Sequence, residues 1–161
     1  MDSNKAFQKA VQRYRAGDLR EAEKICKEIL MIHPAYADAL RLLGVLYYEM
    51  KDYDSAVFYI EKALQLDPAD AEAYYNLGNS FKAKGRLDEA VTSYNKALQI
   101  NPRLSAALYN LGATLHDKGQ LEQAAAFYKK ALDNDPSLAH AYYNLGIICE
   151  GRRQIDEAII Y

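Results

Sequence analysis

Residues 71–104 read AEAYYNLGNSFKAKGRLDEAVTSYNKALQINPRL, and this stretch decides the fold. Tyr74, Leu77, Gly78 and Phe81 follow i, i+3, i+4, i+7 spacing, which is one apolar stripe of an amphipathic helix. Gly85 interrupts the run. A second stripe follows, formed by Leu87, Ala90, Val91, Tyr94, Ala97 and Leu98 and led by Asp88 and Glu89, an acidic pair suited to the positive end of a helix dipole. The stretch therefore predicts two helices. The small residues Gly78 and Ala90 would let their axes approach more closely than two leucines allow. In Asp67-Pro68, Asn101-Pro102 and Asp135-Pro136 a capping residue precedes a proline, which predicts a helix start at each.

The same pattern recurs along the chain at a spacing of 34 residues. It holds for Gly44, Gly78, Gly112 and Gly146, and for the only four prolines, Pro34, Pro68, Pro102 and Pro136. Ala22, Ala56, Ala90, Ala124 and Ala158 keep the step, as do Leu30, Leu64, Leu98 and Leu132. Gly17 and Gly119 repeat the break seen at Gly85. Ala39, Ala73, Ala107 and Ala141 hold the third position of successive units, which predicts a second tight helix crossing. One helix pair cannot bury both of its faces, so the units must stack into a solenoid with a concave groove.

With Tyr74 at the usual Trp position, this pattern resembles the tetratricopeptide repeat signature, and the resemblance spans essentially the whole chain. It implies an all-α fold, a right-handed α-solenoid or superhelix of antiparallel helix pairs. The expected units are 3–36, 37–70, 71–104, 105–138 and a truncated 139–161. The first is divergent, carrying Ala6, Lys9 and Ala10 where the others have a large apolar residue, Leu and Gly. In the last, a second helix is expected to begin near Asp156 and stop halfway, leaving Ile155, Ala158 and Ile159 without a finished partner.

Composition excludes several classes of function. With 20 Lys and Arg against 22 Asp and Glu, the net charge of −2 gives no basic excess to exploit counterion release, so nucleic acid is not an expected partner. No stretch approaches the roughly 18 apolar residues of a membrane span, and a cytoplasmic location is expected. Cys26 and Cys149 read as small core residues in a reducing compartment. His33, His116 and His140 are isolated, which predicts no metal site. The glycines serve the repeat and follow no strand, so no phosphate loop is expected. Nothing singles out a nucleophile, so no catalytic residue, no cofactor and no enzymatic activity are expected.

Function is therefore sought on the face of each first helix that points away from the core. Asn76, Asn110 and Asn144 occupy position six of units three to five, about 150° from the centre of the apolar stripe. Asn is a poor helix former, so three in register argue against mere surface filler. An amide both donates and accepts, and a ladder of amides can track the backbone of an extended peptide whatever its sequence. The ladder is similar to that of the tetratricopeptide superhelix of O-linked N-acetylglucosamine transferases, which implies binding of a peptide main chain. Tyr75, Tyr109 and Tyr143 stand beside it, either supplying contact area to a partner or packing between repeats. Asn79, Arg41 and Lys82 complete the candidate concave face.

The family's carboxylate clamp fits poorly: Asn79 and Asn110 match its asparagines, but its cationic positions hold Tyr75, His140 and Asn144. The leading expectation is a scaffold that binds a protein or peptide, with the three ladder asparagines removable at little cost to the fold. Two alternatives are the recruiting arm of a larger enzyme such as an O-linked glycosyltransferase, and a structural scaffold that self-associates end to end through its truncated unit. The core assignment predicts that Leu77→Ala costs about 2–5 kcal/mol in chemical denaturation.

Overall fold

The structure is a computed structural model that describes the backbone of residues 2–160 and the side chains of residues 2–151. Among the described residues there are nine helices and no strand: α1 (Ser3–Arg15), α2 (Leu19–Ile32), α3 (Ala37–Glu49), α4 (Tyr53–Leu66), α5 (Ala71–Ala83), α6 (Leu87–Ile100), α7 (Ser105–Asp117), α8 (Leu121–Asn134) and α9 (Ala139–Ile160). They pair as α1 with α2, α3 with α4, α5 with α6 and α7 with α8, and each second helix also packs on the first helix of the next pair. First helices touch along the row, α1 on α3, α3 on α5 and α5 on α7. The result is an all-α helical-repeat solenoid.

Within each pair the turn needs one residue in the left-handed region. Gly85 supplies it at φ 73°, as do Gly17 and Gly119, whereas Lys51 adopts φ 63° without being glycine. Between pairs the geometry departs from expectation. Asp67 and Asn101 end the helices before them instead of capping the ones after, at φ near −128° and −127°. A residue before proline is pushed out of the helical region. Its side chain then closes a local turn: Asp67 Oδ1 accepts from Ala69 N at 3.0 Å, Asn101 Oδ1 from Arg103 N at 3.2 Å and Asp135 Oδ1 from Ser137 N at 3.0 Å. The next helix starts later, at Ala71 with Asp70 as its cap.

The core is where the repeat placed it, with one addition. Ala39, Ala73, Ala107 and Ala141 are all fully buried. Leu43, Leu77 and Leu111 are buried too, and Ala10 takes the glycine position in the first unit at 0% exposure. The sequence reading missed position ten of the first helices of units two to five: Leu46, Ser80 and Thr114 are fully buried and Ile148 nearly so. A first helix is wedged between two second helices, so it buries two stripes and not one. Ser80 and Thr114 tolerate this because their hydroxyls donate to the carbonyls of Asn76 and Asn110, four residues back, at 2.9 and 2.7 Å.

Two expectations fail near the end of the chain. Cys26 is buried, and its thiol is pushed up to about 12 by that burial, but Cys149 is exposed and is no core residue. In place of a break and a second helix from Asp156, α9 runs unbroken to Ile160. Arg153 stands where the other units place a left-handed Gly or Lys51, and an L side chain resists that conformation. The side chains of Ile155, Ala158 and Ile159, and Tyr161 altogether, lie outside the described residues.

The helix pairs close onto glycine. A Cβ built on Gly78 would lie 2.5 Å from the ring of Tyr94, and one on Gly112 would lie 2.9 Å from the ring of Tyr128. Nothing lies within 4 Å at Gly146. Gly78→Ala should therefore destabilise by about 1–3 kcal/mol through overpacking, despite a helix-propensity gain of up to about 1 kcal/mol. Gly146→Ala should be neutral or stabilising. Denaturant titration of the two variants reads the contrast, and equal effects would contradict the packing described.

Candidate peptide-binding face

The rings that close on glycine also carry hydroxyls. Tyr94 and Tyr128 are fully buried, and a buried hydroxyl without a partner costs about 1–3 kcal/mol. The Tyr94 hydroxyl donates to Asn79 Oδ1 at 2.7 Å. The Tyr128 hydroxyl accepts from Asn144 Nδ2 at 3.2 Å. Both phenols titrate above their ordinary range, first because of burial and then because Tyr75 faces Tyr94 and Tyr109 faces Tyr128; Tyr128 is pushed up to about 12.

This network changes the reading of the ladder. Asn110 Nδ2 donates to Asn79 Oδ1 at 2.8 Å and, more weakly, to the Tyr75 hydroxyl at 3.4 Å. Asn144 Nδ2 repeats the second bond one unit on, to the Tyr109 hydroxyl at 3.4 Å. Each asparagine thus reaches back to the tyrosine at position five of the preceding unit. Asn76 cannot, because that position in the second unit is Arg41, and its amide has no side-chain partner among the described residues. The three asparagines are half-buried, and two of them tie repeats together. They are not a row that can be removed at little cost to the fold.

The cations of the candidate face are also engaged. Arg41 lies between carboxylates of two units, 3.1 Å from Asp70 and Glu72 and 3.5 Å from Asp38. Lys82 pairs with Asp117 at 3.3 Å. Nearby, Lys84 pairs with Asp54 and Lys118 with Asp88, which repeats one strut across successive unit boundaries.

Tyr75, Asn76 and Asn79 of α5 and Asn110 of α7 line one groove of about 340 Å³, with Tyr14 of α1 and Tyr48 and Glu49 of α3 opposite. Tyr109, Tyr143, Asn144, Arg41 and Lys82 lie outside it. Tyr109 packs against Tyr128 at 5.6 Å between ring centroids, while Tyr143 is 69% exposed. Sequence reasoning missed Tyr14, Tyr48 and Glu49. The signal was present, because Tyr14 and Tyr48 are themselves 34 residues apart in an outward helical phase. The register of asparagines drew attention to later units instead.

The fold defines the class of protein, an all-α solenoid of helix pairs with a polar and aromatic groove on its first helices. Two descriptions of one family cover it: "Tetratricopeptide repeat" matches residues 13–77, and "TPR repeat" matches 78–119 and 114–150. The chain belongs to the tetratricopeptide repeat family. Comparison with curated proteins gave no match. Among solved structures it is similar to MamA, at 28% identity over 94% of this chain and 89% of that one, with a TM-score of 0.84. The O-GlcNAc transferase of Thermobaculum terrenum is 28% identical over 83% of this chain but only 27% of the enzyme, with a TM-score of 0.77. YrrB, described as a TPR protein with an unusual peptide-binding site, shares the fold at 22% identity over 94% of this chain and 78% of that one, with a TM-score of 0.78.

Asn79→Ala should cost about 1–3 kcal/mol, because it strips the Tyr94 hydroxyl of its acceptor. Tyr94→Phe added to that variant should recover much of the loss. Denaturation of the single and double variants in a mutant cycle measures the coupling, and simple additivity would show that the bond carries none.

Proposed function

We propose that this chain binds an extended peptide along its first helices, with the main contacts in the groove between α1, α3, α5 and α7. The observation that carries the reading is the meeting of residues from four units in one groove. It holds an unpartnered amide, Asn76, beside three tyrosines from three different helices. An amide free to donate and accept pairs with a peptide main chain without regard to side chains. Rigid rings add contact area at low entropic cost. Both are needed, because a hydrogen bond contributes only about 0.5–1.5 kcal/mol and a micromolar complex requires about 8 kcal/mol.

The reading moves the centre of binding toward the N-terminus. The expectation placed it on units three to five, whereas the groove spans units one to four. Binding without catalysis is the proposal, and among the described residues no group of three or more His, Cys, Asp or Glu could hold a metal ion. No helix among them is long and apolar enough to cross a membrane. A second reading, favoured by the likeness to the bacterial O-GlcNAc transferase, is that such an array recruits substrate for an attached enzyme; extending the coding sequence beyond Tyr161 tests it.

Selection of random peptides displayed on phage, followed by fluorescence anisotropy of synthetic representatives, tests the main proposal. Asn76→Ala combined with Tyr48→Ala should weaken the selected peptides by tenfold or more, about 1.4 kcal/mol, while the helical signal is retained. Unchanged affinity, or the absence of any selected peptide, would reject it.

A further inference from the structure

We infer that the groove selects a cationic side chain, Arg or Lys, in the peptide it binds; this rests on the peptide-binding reading above and names its ligand chemistry. Among the described residues, Glu49 is the only charged one that lines the groove, and its carboxylate forms no ion pair with any of them. Tyr14 and Tyr48 stand beside it with hydroxyls that have no hydrogen-bond partner among the described residues. The phenols register the charge: Tyr14 is raised first by burial and then by Glu49, and Tyr48 first by burial, then by Tyr53, Glu49 and Tyr75.

Those groups suit a cation. A guanidinium or ammonium can lie against the aromatic faces while its N–H groups donate to the carboxylate and phenol oxygens. An anionic side chain would meet Glu49, and no described cation lines this groove. Arg41 is held among Asp38, Asp70 and Glu72, and Lys82 is held by Asp117. Arg15 lines an adjoining groove with Tyr14 and Glu49 but pairs with neither, so the carboxylate stays available.

Local energetics offer no other reason for this carboxylate. Glu49 is the last residue of α3, at the negative end of the helix dipole, where an acidic side chain is disfavoured. It caps nothing and bridges no unit boundary. A residue that breaks a local rule without a structural return is expected at a binding site. For the same reason Glu49→Gln should leave the melting temperature unchanged or slightly higher, which makes it a clean probe.

Selection from a random displayed peptide library on the wild-type chain, on Glu49→Gln and on Glu49→Lys tests the inference. Wild-type selections should enrich Arg or Lys at one register position. A synthetic selected peptide should bind about three- to tenfold more tightly than the same peptide with citrulline or Gln at that position. Glu49→Gln should abolish that difference while still binding the neutral peptide, and Glu49→Lys should turn the selection toward acidic residues. Selected peptides without a basic preference, or a basic preference that persists in Glu49→Gln, would overturn the inference and leave the peptide-binding reading standing. A library from which the wild-type chain selects nothing would overturn both.

Discussion

The structure depends on a close approach of two helices, with a side chain of the second lying where a Cβ of the first would be. Gly44 faces Ile60, Gly78 faces Tyr94 and Gly112 faces Tyr128. Close packing of this kind is intolerant of added volume, and it sets the distance between the two helices of a pair. The fully buried alanines at position three bring neighbouring units together by the same device. A solenoid has no central core, so these repeated local approaches take the place of one.

Filling the glycine notch with tyrosine has a further effect. An isoleucine, as at Ile60, needs nothing more, but a tyrosine brings a hydroxyl that must be satisfied at the far side of the first helix. Asn79 and Asn144 satisfy it, and Asn110 joins Asn79 to the next unit. The polar face and the apolar core are thereby one system. Asparagines that look like a binding ladder are partly structural, and only Asn76 is wholly free. That freedom has a local cause, since Arg41 replaces the tyrosine its amide would otherwise reach.

Charge is organised in a similar way. Most cations near the face are used as struts between units, Lys84 to Asp54, Lys118 to Asp88, Lys82 to Asp117 and Arg41 to a trio of carboxylates. Exposed pairs of this type contribute little stability individually, but they occupy the positive charge that an anionic ligand would need. What remains free in the groove is Glu49. The same residues that set the register of the stack therefore also shape what the groove accepts.

The sequence by itself determined the period, the helix pairs, the glycine notches and most of the core, because these follow from local spacing and from the need of every unit to cover the same faces. It also argued against a carboxylate clamp, since Tyr75, His140 and Asn144 stand at the positions where such a clamp carries cations. Whatever depends on contacts between residues about 30 apart was decided only by the tertiary structure. Position ten is buried because a neighbouring helix arrives there, Asn110 is occupied because Asn79 lies across a unit boundary, and Arg41 is neutralised by Asp38 and Asp70 of its own unit together with Glu72 of the next. Tyr14, Tyr48 and Glu49 join Asn76 for the same reason: side chains from successive first helices meet only when the units stack, and helical phase alone does not say which of them will share a groove.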